Sequence, residues 1–65
     1  MQPHQQRVVE EKAQLDERIG KLQSFISRAP QYSVLPADEQ GRLRTQLDLM
    51  MKLSDVLGAR INAFT

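Results

Sequence analysis

The chain has 65 residues, and nine Lys and Arg against eight Asp and Glu leave it almost neutral. A domain this short buries too little apolar surface to offset the chain entropy lost on folding, so it needs a further source of stability. The sequence has no Cys and a single His, which excludes disulfides and argues against a zinc site. We therefore expect no metal and no cofactor. Oligomerisation is the source of further stability that remains. The neutral charge also argues against binding to long nucleic acid.

The first predicted element is a long helix over about residues 3–28. Pro3 suits the first turn of a helix, and Pro30 lies just past its end. Between them the apolar residues recur at the spacing of a heptad seam. The members of this seam are Val8, Leu15, Ile19, Leu22, Ile26 and Ala29. Lys12 stands where one apolar member is missing.

A loop over about residues 29–35 leads to a second helix over about residues 36–64, which begins with Pro36. This helix carries a seam of matching spacing, so the two helices are predicted to pack antiparallel across the short loop. The members of the second seam are Leu43, Leu47, Met50, Ser54, Leu57, Ile61 and Phe64.

The second helix also carries another apolar stripe, which includes Leu49, Leu53 and Val56. A lone hairpin offers this helix one partner only, so the stripe predicts self-association. The alternative is that these residues merely widen one hairpin face. The sequence thus predicts a single all-α domain over residues 1–65, an antiparallel two-helix hairpin that assembles into a helical homo-oligomer.

The sequence has no nucleophile motif, phosphate loop or metal-ligand spacing, so we expect no enzyme. Basic residues are then the best candidates for a binding site. Arg42, Arg44 and Thr45 lie close together near the start of the second helix. Repeated around a symmetry axis, they would form a ring of guanidinium and hydroxyl groups that binds a compact multi-phosphate ligand. The alternative is that both arginines are ordinary surface residues that pair with Asp38 and Asp48.

The sequence resembles a family of small phage anti-defence proteins. The first half carries the resemblance in PHQQRVVEEK (3–12), LDER (15–18), KL (21–22) and FI (25–26). The second half carries it in LP (35–36), EQ (39–40), RL (42–43), SDVLG (54–58) and RI (60–61), with Gln46 and Phe64. The family comprises anti-CBASS cyclic-oligonucleotide sponges, and its helical hairpin is shared with one class of Thoeris anti-defence sponges.

The resemblance implies a hexamer of hairpins that sequesters cyclic oligonucleotide immune signals in the cytoplasm of an infected cell, without a chemical reaction. Some members have a trinucleotide pocket near the three-fold axis, for which Arg42, Arg44 and Thr45 are the candidates here. They also have a dinucleotide pocket between paired protomers. The candidates for that pocket are His4, Arg18 and Lys21. Longer members have a segment before the hairpin, and this chain has only His4 near its N-terminus to take the aromatic role.

Two other functions remain open at this stage. A homodimeric four-helix bundle of two hairpins could present a basic helix face to folded RNA, although the nearly neutral charge weighs against this. Alternatively, the chain is a protein adaptor that docks a partner through Leu49, Leu53 and Val56. We expect no membrane partner, since no apolar run approaches the length of a span and the first residues do not resemble a signal peptide.

Overall fold

The computed structural model describes residues 1–64, which fold into an all-helical hairpin. Two long helices, α1 (Pro3–Arg28) and α3 (Ala37–Asn62), pack against each other, and a one-turn helix, α2 (Pro30–Ser33), lies between them. The described part of the chain contains no strand. It forms a rod with extents of 47 × 15 × 14 Å. The prediction of an all-α chain with two long packed helices is confirmed.

The ends of the helices follow from local sequence. Pro3 occupies the first turn of α1, and the backbone N–H of Gln2 donates to Gln5 Oε1 at 2.9 Å. α1 ends at Arg28 because Ala29 precedes a proline and adopts extended backbone angles. Pro30 then begins α2, so the segment predicted as a loop contains one helical turn.

The core of the hairpin is a narrow strip of apolar side chains along the contact between α1 and α3. Val8 and Leu15 of α1 are buried against Leu57 of α3, whose exposed fraction is 1 %. Half-buried side chains extend this cluster along the rod: Ile19, Met50, Ile61 and Phe64. Each long helix therefore contributes one apolar stripe to the shared core, as expected for two antiparallel helices.

A polar link crosses the apolar strip where the sequence puts Lys12 in place of an apolar residue. The hydroxyl of the buried Ser54 donates to Asp16 Oδ1, and Lys12 Nζ donates to Asp16 Oδ2 at 2.7 Å. These hydrogen bonds, first that from Lys12 and then that from Ser54, hold the pKa of Asp16 below its ordinary value. A Cβ on Gly58 would lie 3.3 Å from Lys12 Cε, so the glycine leaves room for the lysine. Asp16 thus joins the two helices, although its side chain is 45 % exposed.

The connection between α1 and α3 is fixed by Tyr32 and Gln40. Tyr32 is buried, packs edge-on against Phe25 with ring centroids 6.1 Å apart, and its hydroxyl donates to the carbonyl of Gln40 at 3.3 Å. In return, Gln40 Nε2 donates to the carbonyls of Tyr32 at 3.0 Å and Leu35 at 3.1 Å. These contacts set the position of the first turns of α3, where the candidate ligand residues lie.

Neither long helix could serve as a membrane span, because no stretch of residues 1–64 combines the required length with enough apolar character. This finding concerns the helices described here and agrees with their many charged side chains.

Candidate functional site

An exposed apolar stripe runs along the side of α3 that α1 does not cover. Its members are the three residues predicted as an oligomer interface: Leu49 is 60 % exposed, Leu53 45 % and Val56 55 %. Their spacing of four and three residues places them on one line along the helix. We call these three residues the α3 stripe. α3 therefore has two apolar sides, and within the described chain one of them has no helix packed on it.

A shallow groove lies on α3 where the stripe meets polar side chains. Its volume is about 360 Å³, and it is lined by Arg42, Thr45, Gln46, Leu49, Met50 and Leu53. One end of the groove is thus cationic and hydroxylic, while its floor is apolar. Ligand sites commonly combine an apolar lining with a few polar groups that fix orientation. The groove brings together two of the three predicted trinucleotide residues.

Arg42 is well placed to exchange one anion for another. Its Nε donates to Glu39 Oε1 at 2.8 Å, and its Nη1 lies 3.5 Å from Asp38 Oδ2. The side chain is 65 % exposed, and such surface ion pairs contribute only about 0–1 kcal/mol. The predicted pairing with Asp38 is therefore present, and within residues 1–64 no ion pair joins an arginine to Asp48.

Thr45 lies on the same line of the helix as Arg42, one turn further along. Its side chain is exposed, and its hydroxyl donates to the carbonyl of Gly41 at 3.0 Å. Rotation about the side-chain bond would release the hydroxyl as a donor toward an anion. Arg42 and Thr45 thus offer one charged and one neutral donor at the same end of the groove.

Arg44, the third predicted trinucleotide residue, lies apart from this groove. Its guanidinium carbon is 5.9 Å from the centre of the Tyr32 ring, within the range of a cation–π contact. Neighbouring residues on a helix point in different directions, which explains why Arg42 and Arg44 separate. In the isolated hairpin Arg44 covers the tyrosine that fixes the loop.

The three predicted dinucleotide residues are exposed but spread along α1. His4 lies in the first turn, whereas Arg18 lies fourteen residues later, a rise of about 21 Å along a helix. Lys21 pairs with Glu17 at 3.2 Å, as its i,i+4 spacing predicts. Within one hairpin these residues do not form a common site, so a ligand that touches all three would need side chains from a second copy.

Metal chemistry has no obvious location here, since residues 1–64 contain no group of three His, Cys, Asp or Glu side chains that could hold an ion. Arg60 is a basic residue that was not among the predicted site residues. It is exposed at the far end of the α3 stripe, and no acidic side chain of residues 1–64 lies within 4.0 Å of it. The signal in the sequence was its position four residues after Val56, which places both side chains on the same side of the helix.

Comparison with known protein families gives a match over almost the whole chain. The model of the family described as Sequestin matches residues 2–63, which include α1, α2 and α3. The family name fits a group of sequestering proteins. No curated protein and no solved structure matches the chain.

Proposed function

The chain belongs to the Sequestin family, and we propose that it binds and sequesters cyclic oligonucleotide second messengers, and thereby blocks CBASS-type anti-phage signalling. The observation that carries the proposal is the groove on α3, which joins Arg42 and Thr45 to an apolar floor. The resemblance of the chain to cyclic-oligonucleotide sponges supports the choice of ligand.

The chemistry of the groove suits a cyclic oligonucleotide. Such a ligand presents phosphates that carry negative charge, and it presents bases and riboses with apolar faces. A guanidinium keeps its charge at any physiological pH and bonds a phosphate through two N–H groups. Leu49 and Met50 can contact a base or ribose beside it. Because the carboxylates of Asp38 and Glu39 hold Arg42 only at the surface, a phosphate can replace them at small cost.

We also propose that the site forms between copies of the chain, as a homo-oligomer and, following the family resemblance, a hexamer. The rod exposes 4911 Å², compared with about 4200 Å² expected for a folded protein of its mass. Covering the α3 stripe with a second copy would remove its apolar area from water. It would also bring side chains of the second copy to the groove that holds Arg42 and Thr45, as a compact molecule with several phosphates requires.

Function of this kind is stoichiometric, and the protein makes no chemical change to the ligand. A sponge lowers the free signal only to about its own dissociation constant, so tight binding is essential. A site preformed by assembly helps, because its side chains lose little freedom on binding. We place the action in the cytoplasm of the infected cell, where the signals are made.

Calorimetric titration with a panel of cyclic di- and trinucleotides tests the proposal. We expect saturable binding of at least one ligand and a loss of affinity of about tenfold or more in Arg42→Ala, because a charge-assisted hydrogen bond is removed. Arg28→Ala is the matched control, since it deletes the same charge from an exposed position on α1. No binding to any ligand of the panel would overturn the proposal.

An adaptor function is the second candidate, and the observation that favours it is the α3 stripe itself. In that case another protein, rather than a second copy, covers Leu49, Leu53 and Val56. The same titration separates the two functions. An adaptor gives no heat with cyclic nucleotides, and its stripe variants lose a protein partner while the Arg42 variant keeps it.

A further inference from the structure

Arg42 alone gives an anion site with no net positive charge, because a phosphate that displaces Asp38 and Glu39 from its guanidinium leaves both carboxylates nearby. Its guanidinium contacts both Asp38 and Glu39, so this end of the groove carries two negative charges against one positive charge. Repeating the same group around an axis repeats the same imbalance. A phosphate site at Arg42 therefore needs a further cation that brings no carboxylate with it.

Arg60 has the properties of that cation. It is exposed, and within residues 1–64 no acidic side chain lies within ion-pair distance of it. It continues the line of the α3 stripe four residues beyond Val56, while Arg42 continues the same line seven residues before Leu49. Each end of the stripe thus carries one arginine.

Within one chain the two arginines cannot share a ligand. Eighteen residues of α-helix separate them, which corresponds to about 27 Å along the axis of α3. A parallel pair of α3 helices keeps them equally far apart and sets each arginine against its own copy. Arg42 then meets only another copy of Arg42, which brings its own two carboxylates, so the site gains no further net positive charge.

An antiparallel pair of α3 helices related by a two-fold axis changes this geometry. When the two stripes bury each other, Leu49 faces Val56 of the partner subunit, and Thr45 faces Arg60 of the partner subunit. A shift of the register by about one turn in either direction moves Arg60 of the partner subunit to a position opposite residues between about 41 and 49. Both arginines then lie at the same end of the groove. Such two-fold pairs can also be repeated around a three-fold axis, as in a hexamer.

We propose that Arg60 is a ligand-binding residue that acts in trans, completing the anion site of Arg42 and Thr45 across an antiparallel α3–α3 contact. This inference rests on the proposed function, and it adds the residue and the subunit arrangement that the single hairpin lacks. The site binds the phosphates of a cyclic oligonucleotide between two guanidinium groups from different chains. Without a ligand the paired arginines repel each other, which favours occupancy by an anion.

Mixed oligomers test whether the two arginines act in trans. Arg42→Ala and Arg60→Ala are first measured separately against cyclic tri-AMP and cyclic di-AMP, and each is expected to lose affinity by about tenfold or more. The two variants are then co-expressed with different tags and purified as mixed assemblies. In a mixed two-fold pair one site has lost both arginines and the other has kept both. Wild-type affinity should therefore return at one of the two sites of each mixed pair, which is about a quarter of all sites when the two variants pair at random.

The controls separate this inference from the function on which it rests. Arg28→Ala should bind like the wild type, and circular dichroism and sedimentation should show that Arg60→Ala keeps its fold and assembly. Arg60→Lys, which keeps the charge but not the paired N–H donors, should have an intermediate affinity. If the wild type binds neither ligand, the proposed function fails at this step. If the wild type binds and Arg60→Ala binds equally well, or the mixed assemblies regain no site, the inference is wrong and the function stands.

Discussion

The outward faces of α1 and α3 carry grooves of nearly equal size but opposite character. The groove on α1 has a volume of about 370 Å³ and polar walls, formed by Gly20, Gln23, Ser24, Ser27 and Arg28. The groove on α3, of about 360 Å³, is floored by apolar side chains of the α3 stripe. Of the large apolar side chains that residues 1–64 expose, none belongs to α1 and four belong to α3.

The difference shows that the two helices have different tasks. α1 buries its large apolar side chains within the hairpin, and its remaining surface is polar and faces water. α3 contacts α1 on one side and exposes a second apolar side. Monomeric proteins seldom expose a contiguous apolar patch of this kind. In the proposed homo-oligomer a second copy covers this side, and two of the candidate ligand residues, Arg42 and Thr45, lie along it.

The largest expected effect concerns the side of α3 that α1 already covers. Leu57→Ala should lower the free energy of unfolding by about 2–5 kcal/mol, because it leaves a cavity at the most buried side chain of the hairpin. Chemical denaturation followed by circular dichroism measures this loss. A change below about 1 kcal/mol would mean that the contact between α1 and α3 contributes less than the burial of Leu57 indicates.

The next effect concerns the uncovered side. Leu49→Ala should weaken self-association by about 1–2 kcal/mol per copy, because the exposed part of this leucine no longer becomes buried. Sedimentation over a concentration series gives the shift. Gln14→Ala, which changes an exposed residue on the outward face of α1, is the control and should leave the assembly unchanged. Equal effects of the two substitutions would remove the distinction between the two faces.

Two glycine-to-alanine substitutions, one on each long helix, should have smaller effects on stability. A Cβ on Gly20 of α1 would meet nothing within 4 Å, so Gly20→Ala should stabilise the hairpin by about 1 kcal/mol through helix propensity alone. Gly58→Ala on α3 should gain less, since its methyl group meets Lys12 Cε at 3.3 Å and displaces the lysine from Asp16. Thermal unfolding of both variants provides the comparison, and a larger gain at Gly58 would contradict it.

The smallest effect is the pH dependence of the polar link between the helices. Hydrogen bonds from Lys12 and Ser54 lower the folded-state pKa of Asp16 below its unfolded value. The ionised carboxylate therefore contributes stability above about pH 4, and this contribution is lost as the pH falls through the lowered pKa. Asp16→Asn should be less stable than the wild type at pH 7 and approach it at pH 3. Denaturation at the two pH values measures the difference, and a constant gap would show that the carboxylate charge plays no part.

Sequence periodicity predicted the fold because heptad spacing encodes which side of each helix is buried. It could not predict the role of Asp16, since the partner that makes this residue useful, Ser54, lies 38 residues away. It also grouped Arg42 with Arg44, which are close in sequence but diverge by about 200° around a helix. The assignment of Arg42, Thr45 and the other ligand residues stays a prediction, because a site of the proposed kind, completed by a second chain, would leave its signal on two separate segments of one sequence.

Sedimentation velocity of the wild-type chain at low micromolar concentration tests most directly whether the α3 stripe is covered by a second copy. We expect folded helical protein that sediments well above the 7.5 kDa of one chain, with six copies corresponding to about 45 kDa. A stably folded species of 7.5 kDa, with no larger assembly at that concentration, would contradict this expectation.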